Sequence, residues 1–150
     1  MTRSFQGESL SANEVAPLLP LVQATWPDVD LPTWRKFVDF YCGAQATKGS
    51  GILRFNDGGG VFCGVLAYRV EHDLHVGLVL CIHMFTAVDL ANSAELVTAL
   101  IDAAESEAAL SRCSYLQIRL TDSQNRLASR IRRLGLSESA GCFWKKVRPA

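Results

Sequence analysis

Val76-Gly-Leu-Val-Leu-Cys-Ile-His-Met-Phe85 is the stretch whose reading decides the fold. It is apolar and rich in β-branched residues, yet far short of the ~20 residues that a membrane-spanning helix needs. It reads as a buried strand. Thr86 to Ala91 forms a short loop, and Asn92-Ser-Ala-Glu95 follows, in which Asn92 can cap a helix and Glu95 can bond back to it. Leu96, Val97, Leu100, Ile101, Ala104 and Ala108 share one helical face. A second strand, Tyr115 to Leu120, comes next. Strand, helix and strand in that order predict a right-handed unit with parallel strands. A further helix carries Leu127, Ala128, Ile131 and Leu134 on its inner face and stops at Gly135.

Working outward, Ser4 to Glu8 predicts a first strand, and Ser11-Ala-Asn-Glu14 is a capping box. Val15, Leu18, Leu19 and Val22 have helical spacing. Pro17 and Pro20 each remove a donor, which predicts a short or broken helix ending before Pro27. Pro32 suits the first turn of a second helix, continued by Trp34, Phe37, Val38 and Tyr41. Ile52 to Phe55 and Val61 to Val70 read as antiparallel strands joined by the tight turn Asn56-Asp-Gly-Gly-Gly60. Glu71 to Leu74 reads as the next turn. A short strand near Leu136 to Ser139 and a last one from Cys142 to Val147 close the chain. With no repeat and no long linker, residues 1–150 form one α/β (α+β) domain. Its mixed central sheet has six to seven strands, flanked by about four helices.

Composition narrows the function classes. Hydrophobic residues are 49% and charged residues 20%, the balance of a folded globular chain. Lys+Arg and Asp+Glu are equal at 15 each, so no nucleic acid or membrane partner is advertised. Arg3, Gln6 and Glu8 interrupt any signal-like apolar run, and the five scattered cysteines lack C-x-x-C spacing. Reduced thiols in a cytoplasmic protein are the expectation.

The element order and two local sequences carry a family resemblance. Asn125-Arg-Leu-Ala-Ser-Arg-Ile-Arg-Arg-Leu-Gly-Leu136 resembles the Asn-x-x-(Ala/Ser)-x-x-φ-x-x-Leu-Gly-Phe segment of the GCN5-related N-acetyltransferases. Phe143-Trp-Lys-Lys146 resembles a frequent terminal strand of that family. The resemblance implies an acyl-CoA N-acyltransferase fold and transfer of an acetyl group to a small-molecule or peptide amine by direct attack. It also implies a gap between the fourth and fifth strands. There the pantetheine arm of acetyl-CoA would meet the main chain at Met84, Phe85 and Thr86, with Asn125 across the gap. The pyrophosphate would lie at Ala91, Asn92, Ser93 and Ala94, on the amides of a helix start. In this chain Val88-Asp-Leu-Ala-Asn-Ser93 replaces the family's (Gln/Arg)-x-x-Gly-x-(Gly/Ala). A diverged working loop and a loop that no longer holds CoA both fit that departure. The tyrosine that protonates the leaving thiolate in many members is replaced by Ile131 or Arg132.

His83, near the end of the fourth strand, is the candidate general base, because imidazole titrates in the range needed to take a proton from an ammonium. A packed histidine satisfied by a backbone carbonyl fits the same position. Tyr115, Gln117 and Arg119 share a strand face and are candidate acceptor-pocket residues, and a helix-covered or solvent-facing side fits that face equally well. Arg126, Arg130 and Arg133 form a basic stripe that fits a solvated helix face. Glu71, His72, Asp73 and His75 have metal-ligand side chains but read as turn residues, so no metal is expected. Two alternatives stay open. One is a non-catalytic domain of this fold that binds a ligand or partner. The other is an acyltransferase fed by an acyl carrier protein docked on the arginine stripe. The apolar last strand with Trp144 offers an edge for a homodimer.

Overall fold

A computed structural model describes residues 5–88 and 93–149. Among them, β1 (Gln6–Ser9) leads through a 3₁₀ turn (Ala12–Glu14) to α1 (Val15–Thr25) and α2 (Leu31–Cys42). Three antiparallel strands follow: β2 (Ser50–Asn56), β3 (Phe62–Asp73) and β4 (Gly77–Ala87). Then come α3 (Ser93–Leu110), β5 (Tyr115–Arg119), α4 (Asn125–Arg133), β6 (Ser137–Ser139) and β7 (Cys142–Lys146). The strands form one seven-stranded mixed sheet in the order β1-β2-β3-β4-β5-β7-β6. Only β4 and β5 pair in parallel, as a strand–helix–strand unit requires.

Each helix pair buries one face of the sheet. Leu96, Val97, Leu100, Ile101, Ala104 and Ala108 of α3 pack with Leu66, Leu80, Ile82, Leu116 and Ile118, joined by Ile131 of α4. On the other side Leu18, Leu21 and Val22 of α1 and Trp34, Val38 and Tyr41 of α2 pack on Ile52, Val65, Ala67 and Met84. Burying a side chain of this size is worth roughly 1.5–3 kcal/mol, so these two layers hold the sheet rigid. They do not cover it evenly. α1 and α2 rest on β2, β3 and β4, and among the described residues neither packs closely on the same face of β5 and β7.

Several expectations are corrected. The first helix is unbroken through Pro20. Pro17 falls in its first turn, where no donor is needed, and the buried Leu18, Leu21 and Val22 hold the turn around Pro20. The turn expected at Glu71 to Leu74 begins later. β3 runs on to Asp73, whose carboxylate accepts from the backbone N–H groups of His75 (2.8 Å) and Val76 (3.1 Å). Leu134, expected on the inner face of α4, is 43% exposed. The last strand is not an edge for a dimer, because β7 is paired by β5 on one side and β6 on the other.

Candidate active site

The parallel pairing of β4 with β5 runs from Val79↔Tyr115 to Ile82↔Ile118 and then stops. β4 continues to Ala87 alongside β3 while β5 ends at Arg119, so beyond Ile82 and Ile118 the β5 side of β4 has no strand paired to it and forms a gap in the sheet. His83 stands at its mouth. The β3–β4 register steps from Tyr68↔Ile82 to Ala67↔Met84, leaving His83 unopposed as the extra residue of a β-bulge. Bulges re-aim side chains and twist strands, and here the bulge coincides with the end of the β4–β5 pairing.

Three residues surround the imidazole. Tyr41, brought in by α2, places its hydroxyl 2.5 Å from His83 Nδ1. Glu71, on β3 opposite Val79, places Oε1 3.1 Å from Nε2. That contact is close but out of line with the ring nitrogen, so buried Nε2 has no hydrogen-bond partner of good geometry. The two ring nitrogens are thus flanked by different groups, Nδ1 sharing one hydrogen bond with the Tyr41 hydroxyl, whose donor follows the tautomer, and Nε2 facing the Glu71 carboxylate. Burial, the largest influence, pulls the His83 pKa below the ordinary imidazole value, against the opposing pull of Glu71. Glu71's side chain is 34% exposed and His83's 20%, so the carboxylate is the outer member of the pair.

Cys81 completes the cluster and donates to Glu71 Oε2 at 3.3 Å. Its thiol is pushed up to about 12, first by burial and then by Glu71. Glu71, Cys81 and His83 place one ligand atom each within 4.8 Å of one another, donor types that suit zinc. In this arrangement the thiol donates to the carboxylate.

The remaining sequence candidates divide. Tyr115 pairs with Val79 and Gln117 with Cys81, which sets Tyr115, Gln117 and Arg119 on the same face as the His83 cluster. Gln117 is buried and Arg119 exposed. In β4, the Phe85 carbonyl faces the gap, where it accepts from the Gln124 side chain at 2.7 Å. Alternation then turns the main-chain groups of Met84 and Thr86 toward β3, so of the three residues expected to meet a ligand by backbone, the strand geometry leaves Phe85. Met84's side chain is in the α1/α2 core, and Thr86 Oγ1 lies 2.7 Å from Thr25 Oγ1. Asn125 is exposed at the start of α4. Its buried neighbour Gln124, missed by sequence reading, spans the gap and also accepts from Thr121 N–H at 3.0 Å. Ala91 and Asn92 lie outside the described residues. Ser93 and Ala94 open α3.

No phenol stands on α4. Ile131 is fully buried and Arg132 pairs with Glu138 at 2.8 Å. A roomier hollow of about 520 Å³ lies elsewhere, beside α3 and β7, where Glu105 already meets Lys145 and Arg148. Among the described residues no helix is long and apolar enough to cross a membrane.

No protein-family model and no curated protein matches this chain. Solved structures do. An aminoglycoside N-acetyltransferase in complex with CoA superposes with a TM-score of 0.76 at 11% identity, over 93% of this chain and 91% of that one. A spermidine N-acetyltransferase from Vibrio cholerae, in complex with CoA and spermine, gives 0.71 at 8% identity, over 95% of both chains. A GNAT-family acetyltransferase from Staphylococcus aureus gives 0.74 at 7% identity, over 97% and 100%. At such identities it is the fold that is shared.

Proposed function

We propose that this chain, whose fold is that of the GCN5-related N-acetyltransferases, transfers an acetyl group from acetyl-CoA to an amine. The observation that carries this reading is the end of the β4–β5 pairing at Ile82 and Ile118, with an imidazole held between Tyr41 and Glu71 beside the unpaired stretch of β4. The gap would take the pantetheine arm, with the Phe85 main chain facing it. The amides at the start of α3, from Ser93 and Ala94, would face the pyrophosphate.

The chemistry follows from the resting state of His83. An incoming ammonium meets the Glu71 carboxylate, and its proton passes to His83 Nε2 through Glu71 or one water. The free amine attacks the thioester carbonyl, the C–N bond forms, the now cationic nitrogen releases its second proton to solvent, and the C–S bond breaks with its electron pair leaving on sulfur. The imidazolium so formed lies between two acceptors, Glu71 and Tyr41 Oη. Solvent protonates the departing thiolate, whose basicity near that of an ordinary thiol (about 8.5) makes a protein acid dispensable. Cys42, Cys81, Cys113 and Cys142 are free thiols, which fits a reducing, cytoplasmic setting.

The test is thiol release from acetyl-CoA across a panel of amines, comparing the wild type with His83→Gln. Turnover that falls about 100-fold in the variant is the expected result. The lack of a phenol on α4 favours one rival, a domain that binds without turnover. Acetyl-CoA binding with no thiol release on any amine would decide for that rival.

A further inference from the structure

The open face beside the His83 cluster carries more positive charge than its own carboxylates answer. Arg69 lies on β3 opposite Cys81, and Arg119 ends β5 beyond the last residue that β4 pairs. Both guanidiniums act electrostatically on Tyr41 and His83, which puts them on the side of the sheet where the reaction would occur. Neither has an ion-pair partner among the described residues. Arg69 packs its guanidinium 5.9 Å from the ring centroid of Phe40, and its buried Nε has no hydrogen-bond partner. An unpaired buried donor on a charged group is costly, and Arg forks match carboxylates in geometry. The nearest carboxylate on the face, Glu71, is already engaged by Cys81 and His83.

The two arginines flank the amine's place. His83, on β4, lies between the two strands that carry them, Glu71 reaches its ring from beside Arg69 on β3, and those strands are two sheet spacings apart, roughly 10 Å. Apolar walls adjoin them. Phe40 is 56% exposed, and Tyr115 and Trp144 meet edge to face at 6.4 Å, on adjacent strands.

Resting on the acyltransferase reading above, we propose that the acceptor is an α-amino acid. Its ammonium is taken by Glu71 and His83, its carboxylate by Arg69 and Arg119, and its side chain by the aromatic wall of Phe40, Tyr115 and Trp144. A simple alkylamine or polyamine would leave both guanidiniums unanswered and bring further positive charge against them.

The probes are matched pairs that differ only in the α-carboxylate: L-phenylalanine and phenethylamine, and L-tryptophan and tryptamine. Binding to the intact protein is measured by calorimetry, and thiol release from acetyl-CoA is measured separately. Each acid should bind at least tenfold tighter than its decarboxylated partner. In Arg119→Met, whose exposed position makes it tolerant, and in Arg69→Met, that ratio should fall toward one, with unchanged thermal midpoints showing intact folds. Equal or tighter binding of the decarboxylated amines, or no binding of any acid at millimolar concentration, would overturn the proposal. Acid binding without thiol release would uphold the pocket while removing the transfer reaction, so the two failures are told apart.

Discussion

The Tyr41 hydroxyl meets Nδ1 of His83 at 2.5 Å across 42 residues of sequence, joining α2 to the bulge in β4. This contact engages Nδ1 with Tyr41 and leaves Nε2 on the side of Glu71. Tyr41→Phe removes the acceptor that the imidazolium needs. The acid limb of the rate profile should move to lower pH, kcat should drop about tenfold, and stability should fall by about 1 kcal/mol. A profile unchanged in position would show that the bond is structural only.

His83 also links stability to pH. Burial lowers its folded pKa below the unfolded value of about 6.5, so the unfolded chain binds the proton first. Stability is therefore full above that pH and declines as pH falls from there through the lowered folded value. Thermal midpoints measured from pH 8 to 5 should fall in the wild type and fall less in His83→Gln. Parallel curves would contradict the assignment.

Cys81 should be inert. With its thiol pushed up to about 12 by burial and Glu71, almost none is thiolate at pH 8. Alkylation by iodoacetamide, mapped by mass spectrometry, should reach Cys81 only in denaturant. An acetylated Cys81 after incubation with acetyl-CoA would replace direct attack with a covalent route.

Away from the site, Arg54 is buried and bonds Glu14 at 2.9 Å and Glu8 at 2.7 Å, tying β2 to the 3₁₀ turn and β1. Glu14 in turn accepts from Ser11 N–H at 3.0 Å and from Ser11 Oγ at 2.7 Å. Glu14→Ala leaves the buried guanidinium with the more exposed Glu8 alone and should cost about 2 kcal/mol in chemical denaturation, whereas Arg54→Met removes the charge with its burial penalty and should cost less. The reverse order would mean that solvent already satisfies Arg54.

The layers of this fold were legible because apolar periodicity is local. Val76 to Phe85 and the Leu96-to-Ala108 stripe announce a strand and a helix with no knowledge of their partners. The site was legible only in part. His83 stood out by its chemistry, but Glu71 was hidden within Glu71-His72-Asp73, which reads as a polar turn. Only the pairing of Glu71 with Val79 reveals that β3 extends past it. Tyr41 looked like one more apolar position on α2, since a hydroxyl's distant partner leaves no periodic trace. Gln124 sits beside the motif residue Asn125, and nothing local says that it, rather than Asn125, turns inward to Phe85.

The gap between β4 and β5 is the centre of the account, and calorimetric titration with acetyl-CoA tests it most directly. The account predicts saturable binding in the micromolar range, accompanied by a rise in thermal midpoint. No heat and no thermal shift at millimolar acetyl-CoA would contradict it.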